Sequence, residues 1–491
     1  MITRREIIGG LVAGVSLGGL RGAHAAGIAE APPPRPARTG SATVQDDTDA
    51  LIAAAKLTGT VALAVADAAS GRLLDARSAE MPLPPASVTK ALTALYALEN
   101  LGRGRRMVSR VLATGPMRGG TIDGDLILAG GGDPTLQTDQ LGDLVARLAK
   151  SGLKGVTGRL LYWEGALPQL DRIVNDQPDQ VGYNPAISGL NLNFNRVHFS
   201  WKRAGSGYAL GVDARGGRFV PPVASIGVSV VSRDSPVYTY RRERGQENWT
   251  VAASALGKEG SRWLPVRLPG LYMAGVFRAL ASAQGITLPQ PQAVSRIPAG
   301  AVELGRVESA PTPDMLRDML RYSTNITAEC LGLAASGAGG LGASATAMER
   351  WIASRFGARV ALSDHSGLHG ATRVTAGGLV RILRQAEAEG RGLRPLLHDA
   401  GMRDDSGKTI KGHAVQVPAK SGTLNFVSAL AGYIVPPSGR ELVFAILTGD
   451  PARRDAVPVA EREMAPGSKE WVGRSRRLQG QLISRWAARY G

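Results

Sequence analysis

Ser87 and Lys90 stand three residues apart in Pro84-Pro85-Ala86-Ser87-Val88-Thr89-Lys90-Ala91-Leu92, at the opening of an apolar stretch with helical spacing. Residues i and i+3 share a helix face, so the Lys90 amine can reach the Ser87 hydroxyl and, when neutral, take its proton. That is the minimum apparatus for a serine nucleophile without histidine. The same serine also fits a plainer role as the N-cap of a buried helix. Ser-x-x-Lys arises by chance in a chain of 491 residues, so its weight depends on what else the sequence supplies.

The elements around it can be read from pattern. Pro84 and Pro85 fix an extended lead-in, and Leu92, Leu95 and Leu98 recur at helical spacing until Gly102. Before it, the β-leaning run 60–65 turns through Ala69-Ser70-Gly71 into Arg72-Leu73-Leu74, a hairpin. After it, from about Gly115, glycine-rich strand-turn-strand sequence begins. Helical periodicity returns at Leu141–Leu148, Arg159–Trp163 reads as a strand, and 193–249 alternates β-like runs with polar turns. Gly270–Ala283 reads as helix, and helical sequence resumes at Pro313 with a break at 321–325. The loop Ser363–Leu368 precedes a helix from about Thr375. Ala419–Leu424 opens a strand series in which 430–435 and 441–447 flank the turn Pro436-Pro437-Ser438-Gly439, and an amphipathic helix, about 470–489, closes the chain.

Composition bounds the function. With 44% hydrophobic and 20% charged residues the chain is globular, and its length suits two or three domains. A formal net charge of +17 suits an acidic polymer or anionic surface. Nucleic acid is disfavoured, because no basic run carries interleaved aromatics and only 5% of residues are aromatic. The N-terminus places Arg4-Arg5 before about 14 apolar-leaning, glycine-rich residues and then Ala23-His24-Ala25, too short to span a bilayer and patterned as a cleaved export signal. The paired arginines resemble a twin-arginine signal, which implies a periplasmic location and at most peripheral membrane contact. Residues 26–42 read as a Pro-rich linker. The single cysteine, Cys330, excludes an internal disulfide and reads as a buried thiol.

Three separated signals share one order: Ser87-x-x-Lys90, Ser323-x-Asn325 and Lys420-Ser421-Gly422. Together they resemble the motif set of the penicilloyl serine transferases, the group of penicillin-binding proteins and serine β-lactamases. On that resemblance Ser87 attacks and is acylated. Lys90 takes its proton, its pKa lowered by burial and neighbouring cations. Ser323 passes a proton to the leaving amine, Asn325 orients Lys90 and the substrate amide, and Lys420 supplies positive potential. Ser421 and Thr423 hold the terminal carboxylate of a peptide paired to the strand edge that includes Gly422, and the N–H groups of Ser87 and Thr423 form the oxyanion hole.

Between Lys90 and Ser323 lie 232 residues, far more than the small helical region of a class A β-lactamase. So long a β-rich excursion resembles the low-molecular-weight class C penicillin-binding proteins, the penicillin-binding protein 4 type. The phrases 130–134 (GGGDP), 183–188 (YNPAIS), Ala328-Glu329 after Asn325, and 364–368 (DHSGL) are similar to that family too. Ser421 stands where many relatives have threonine and His365 where glycine is common, the latter expected to alter the loop lining the site.

The resemblance implies an α/β fold of α+β type. A penicillin-binding/β-lactamase-like transpeptidase domain, an antiparallel sheet flanked by helices, would span 43–116 plus 307–491. A β-rich insertion at 117–306 would form one or two extra domains, with a nested subdomain at about 190–260. It implies a serine D-Ala-D-Ala carboxypeptidase and D,D-endopeptidase acting on peptidoglycan stem peptides, acylated by β-lactams as inhibitors, with homodimerisation left open. The rival readings are a β-lactamase or esterase on the same scaffold, and a non-catalytic wall-binding scaffold.

No cofactor is called for, and the six histidines show no metal-ligand spacing. Two further motif matches are set aside. Gly14-Val15-Ser16-Leu17-Gly18 fits a nucleophile elbow but lies in the export signal, and Gly337–Gly342 fits a dinucleotide fingerprint but follows a helix rather than a strand.

Overall fold

A computed structural model describes residues 43–404 and 407–491. The export signal, the Pro-rich linker and the Gly14–Gly18 match lie outside the described residues. Six antiparallel strands form one sheet, in the order 398–399, 418–424, 427–434, 442–449, 60–67, 73–77. The strands Val427–Ile434 and Leu442–Gly449 are buried along their whole length, so this sheet must be covered on both faces.

Side-chain alternation decides which cover goes where. Ala62, Ala64, Ala429, Ala431 and Ala445 face a helical layer that includes Thr89–Asn100, Thr312–Tyr322, Asn325–Ser336, Leu341–Phe356 and Ala376–Ala388. Small residues on this face let those helices approach closely. Leu63, Val65, Leu430, Phe444 and Ile446 point the other way and pack on Leu478, Leu482, Ile483 and Trp486 of the Ser468–Tyr490 helix. The Thr43–Ala54 helix joins that second layer through Asp75, whose carboxylate accepts from Thr48 Oγ1 at 2.7 Å and Trp486 Nε1 at 3.1 Å.

The central helix of the first layer is the one that opens after Ser87. All of its residues from Thr89 to Leu98 are buried, which its continuous run of Ala, Leu and Thr permits. The hairpins expected at 60–74 and 430–447 are both present as antiparallel pairs.

The excursion between the two halves builds its own core. Strands 291–293, 160–163, 126–129, 108–113 and 302–308 form a five-stranded sheet packed by the helices Thr138–Lys150 and Pro269–Ala283. Two three-stranded sheets follow, one from strands in 196–213 and 259–265, the other from strands in 226–252. Val108–Ala113 and Val302–Glu308 pair with each other inside the excursion's sheet. Both strands therefore lie in the insert's sheet, and a short apolar strand carries no mark in the sequence of which sheet it will join. Among the described residues no helix is long and apolar enough to cross a membrane.

Candidate active site

Ser87 sits on a single 3-10 turn, Ala86–Val88, that runs straight into the Thr89–Asn100 helix. Its hydroxyl is therefore not a helix cap, and no side-chain cap bond is made at this helix start. Ala86 adopts φ +46°, a left-handed conformation that an L-residue holds only when its surroundings impose it. Two glycines leave room for it here. A Cβ on Gly367 would lie 1.9 Å from the Ala86 carbonyl oxygen, and one on Gly422 would lie 2.5 Å from the Pro85 oxygen and 2.8 Å from the Ser87 nitrogen. The turn is gripped between the 364–369 loop and the Lys420 strand. From Leu83 to Lys90 only Ser87 is not buried.

Lys90 is wholly buried, and its amine has three partners: Ser87 Oγ at 2.9 Å, Asn325 Oδ1 at 2.7 Å and the Ser366 carbonyl at 2.8 Å. Three acceptors match the three donors of an ammonium group. Burial pulls the Lys90 ammonium down to about 8, against the opposing pull of the Asp364 and Glu329 carboxylates. Burial is the leading cause, and the mutual repulsion of two buried ammonium groups acts with it: Lys420 is drawn down to about 7, first by burial and then by the charge of Lys90.

The loop that presents the Ser366 carbonyl is fixed by two buried carboxylates. Glu329 accepts from the His365 and Ser366 N–H groups, both at 2.9 Å, and Asp364 accepts from Gly367 N at 2.9 Å and His369 N at 2.8 Å. Burial and the charge of Asp364 push the Glu329 carboxyl up. His365 does not reach the cleft lining. Its ring is fully buried, stacked on Tyr96 with Nε2 2.6 Å from Ser344 Oγ, and burial holds it neutral, its pKa drawn down to about 3. Gly332 makes room for that ring, since a Cβ there would meet it at 2.2 Å.

Asn325 opens the helix Asn325–Ser336, and its amide has two occupied ends. Oδ1 receives Lys90, while Nδ2 donates to the main-chain carbonyl of Tyr183, in the insert, at 2.9 Å. Ser323 sits two residues earlier at the junction of two helices, in left-handed conformation (φ +57°), half-buried. Its hydroxyl is not hydrogen-bonded to Ser87 or Lys90.

Lys420 is buried and donates to the Ser421 carbonyl at 2.6 Å. Alternation along Pro418–Leu424 turns Lys420 and Gly422 inward and leaves Ser421 and Thr423 exposed. The short strand His398–Asp399 pairs only with Pro418 and Ala419, so among the described residues no strand covers the outer edge of Lys420–Leu424. Arg476, on the Ser468–Tyr490 helix, donates to Thr423 Oγ1 at 3.1 Å.

The structure thus joins Ser87, Lys90 and Asn325 by hydrogen bonds, seats Gly422 against the Ser87 turn, and electrostatically links Lys420 to Lys90. Sequence reasoning assigned no role to Tyr183, Ser366, Glu329 or Arg476. Two of these act through carbonyl groups that residue type does not announce. Glu329, four residues after Asn325 on one helix face, could have been found from spacing. Among the described residues no cluster of His, Cys, Asp and Glu could hold a metal ion.

A chain with this geometry has relatives. Residues 44–466 match the model of the D-Ala-D-Ala carboxypeptidase 3 (S13) family. The chain belongs to that family. It is a serine-type D-Ala-D-Ala carboxypeptidase hydrolase. It is similar to a carboxypeptidase of Mycobacterium tuberculosis, 29% identical over 472 residues that cover 87% of this chain and 88% of the relative. It is likewise similar to the D-alanyl-D-alanine carboxypeptidase of Actinomadura sp. (strain R39), 29% identical over 437 residues, 82% of this chain and 80% of that one. Among solved structures, penicillin-binding protein 4 of Haemophilus influenzae superposes with a TM-score of 0.73 at 20% identity, covering 90% of this chain and 99% of that chain. The carboxypeptidase therefore has the fold of a low-molecular-weight class C penicillin-binding protein.

Proposed function

We propose that Ser87 is the nucleophile of this carboxypeptidase and that Lys90 is its base. The observation that carries the reading is the Lys90 amine, held 2.9 Å from Ser87 Oγ by two further acceptors that do not take part in bond making. The neutral amine takes the Ser87 proton as Oγ attacks the carbonyl between two D-alanine residues. The tetrahedral oxyanion is met by the N–H groups of Ser87 and Thr423. The C–N bond breaks, the leaving amine receives a proton by way of Ser323, and D-alanine departs from an ester on Ser87. Water then attacks that ester, and the Ser87 oxygen recovers a proton.

The exposed edge Lys420–Leu424 receives the extended peptide as an added strand. The terminal carboxylate is held by Ser421 and Thr423, with Arg476 beside them and Lys420 behind. Peptide cross-links that end in a D-amino acid present the same bond, so endopeptidase activity on peptidoglycan belongs to this reading. Haemophilus penicillin-binding protein 4 has been solved in complex with a β-lactam, and the same serine is proposed to be acylated by such compounds here. The substrate places the enzyme outside the cytoplasm. The paired arginines and apolar run at the N-terminus support a twin-arginine route to the periplasm.

The test is intact-protein mass spectrometry with a β-lactam and with a D-Ala-D-Ala peptide, followed by peptide mapping. The adduct is expected on the peptide containing Ser87, with an acylation rate that rises with pH along a limb near 8, where Lys90 loses its proton. An adduct on another serine, or full hydrolysis by Ser87→Ala, overturns the assignment.

A further inference from the structure

Asn325 depends on a residue of the insert, and the insert depends on a clamp. An asparagine amide can present either its oxygen or its NH2, and only the oxygen can accept from Lys90. The Tyr183 carbonyl decides the matter by accepting from Nδ2 at 2.9 Å. Tyr183 lies in a stretch without helix or strand, residues 171–187. From inside the insert this stretch is braced by Arg267, which donates to the carbonyls of Asp171, Asp179 and Asn184 at 3.0, 2.9 and 2.6 Å.

From the other side it is held by the segment that follows the last strand of the catalytic sheet. Arg462 Nη1 donates to Asp176 Oδ2 at 2.7 Å and to the Asp176 carbonyl at 2.8 Å, and Arg454 Nη2 lies 3.6 Å from the same carboxylate. Glu463 accepts from Arg262 at 2.5 Å and from Gln180 Nε2 at 2.8 Å. Arg454 is buried, in space left by Gly370, where a Cβ would meet its guanidinium at 2.2 Å. Charged hydrogen bonds in partly buried surroundings are the strong kind, and here they cross between parts of the chain nearly 300 residues apart.

We propose that Asp176 and Glu463 are positioning residues for acylation, locking the 171–187 loop so that the Tyr183 carbonyl holds Asn325 in the orientation Lys90 requires. The insert is then part of the catalytic apparatus through one main-chain oxygen. The inference rests on the assignment of Lys90 and Asn325 given above.

Because the acting group of Tyr183 is main chain, no side-chain substitution there removes it, and the clamp must be opened instead. The acylation rate constant for a fluorescent penicillin is measured for Asp176→Asn with Glu463→Gln, in the otherwise native chain and in an Asn325→Ala background, with circular dichroism to confirm folding. Near-isosteric changes keep the loop's volume, and Glu463→Gln alone serves if the pair does not fold. The expected result is a loss of about 10-fold in the native background and no further loss in the Asn325→Ala background, since residues acting through one group are not additive. An unchanged rate in the native background, or the same loss in both backgrounds, overturns the proposal. If Asn325→Ala itself acylates at the native rate, the reading of Asn325 fails, and the clamp proposal with it.

Discussion

The two walls of the cleft differ in kind. On one, every donor of Lys90 is satisfied by a fixed acceptor, and the loop behind it is tied down by the Glu329 and Asp364 carboxylates. On the other, no strand among the described residues pairs with the outer edge of Lys420–Leu424, and Ser421 and Thr423 are exposed. A group that moves a proton must be placed before substrate arrives, whereas a group that binds substrate must still have bonds to offer. The difference teaches which residues to expect in kcat and which in KM.

Lys90→Met should give the largest effect. The side chain is wholly buried, so an apolar chain of similar length keeps the volume, and the relief of a desolvated charge offsets the acceptors left unpaired on Asn325 and Ser366. Acylation is expected to fall about 1000-fold or more while the melting temperature holds or rises, read by penicillin-labelling kinetics beside calorimetry. A comparable fall in stability would show that this wall is structural rather than catalytic.

Gly422→Ala should rank next, because it drives the two walls apart. The added methyl meets the Pro85 oxygen and Ser87 nitrogen well inside contact distance. Stability is expected to drop by about 1–3 kcal/mol, with kcat/KM lower by about 10- to 100-fold for a D-Ala-D-Ala peptide. Arg476→Ala should be the mildest, confined to the open wall. Steady-state kinetics are expected to show KM raised about 3- to 10-fold and kcat within about twofold of native, the mark of lost uniform binding.

Local chemistry was readable from the chain and remote geometry was not. Ser87 and Lys90 are joined by helix spacing, which any sequence displays. The left-handed Ala86 was not visible, because alanine does not advertise φ +46°; the glycines that leave room for the turn, Gly367 and Gly422, are each more than 270 residues away. The helix Leu341–Phe356 went unmarked behind Gly337, Gly339, Gly340 and Gly342, since glycine density reads as loop. Its register is set by Met348, Ile352 and Phe356 packing into the shared core, a tertiary effect. Arg476 and the Tyr183 carbonyl belong to the same class of tertiary information.

One pairing described earlier bears on how the enzyme comes into being. The first strand of the catalytic sheet, Thr60–Asp67, lies beside the last, Leu442–Gly449, along its whole length. Closing a flexible loop of roughly 380 residues costs on the order of 5 kcal/mol in chain entropy. An insert that folds early on its own core shortens that loop, which favours a sequence of events in which the excursion condenses before the sheet that flanks it. Until the Asn325–Ser336 helix and the Pro418–Leu424 strand dock, Ser87 has neither its asparagine nor its strand wall. Reactivity therefore waits on parts of the chain more than 230 residues downstream, and a chain halted before them carries an unarmed nucleophile.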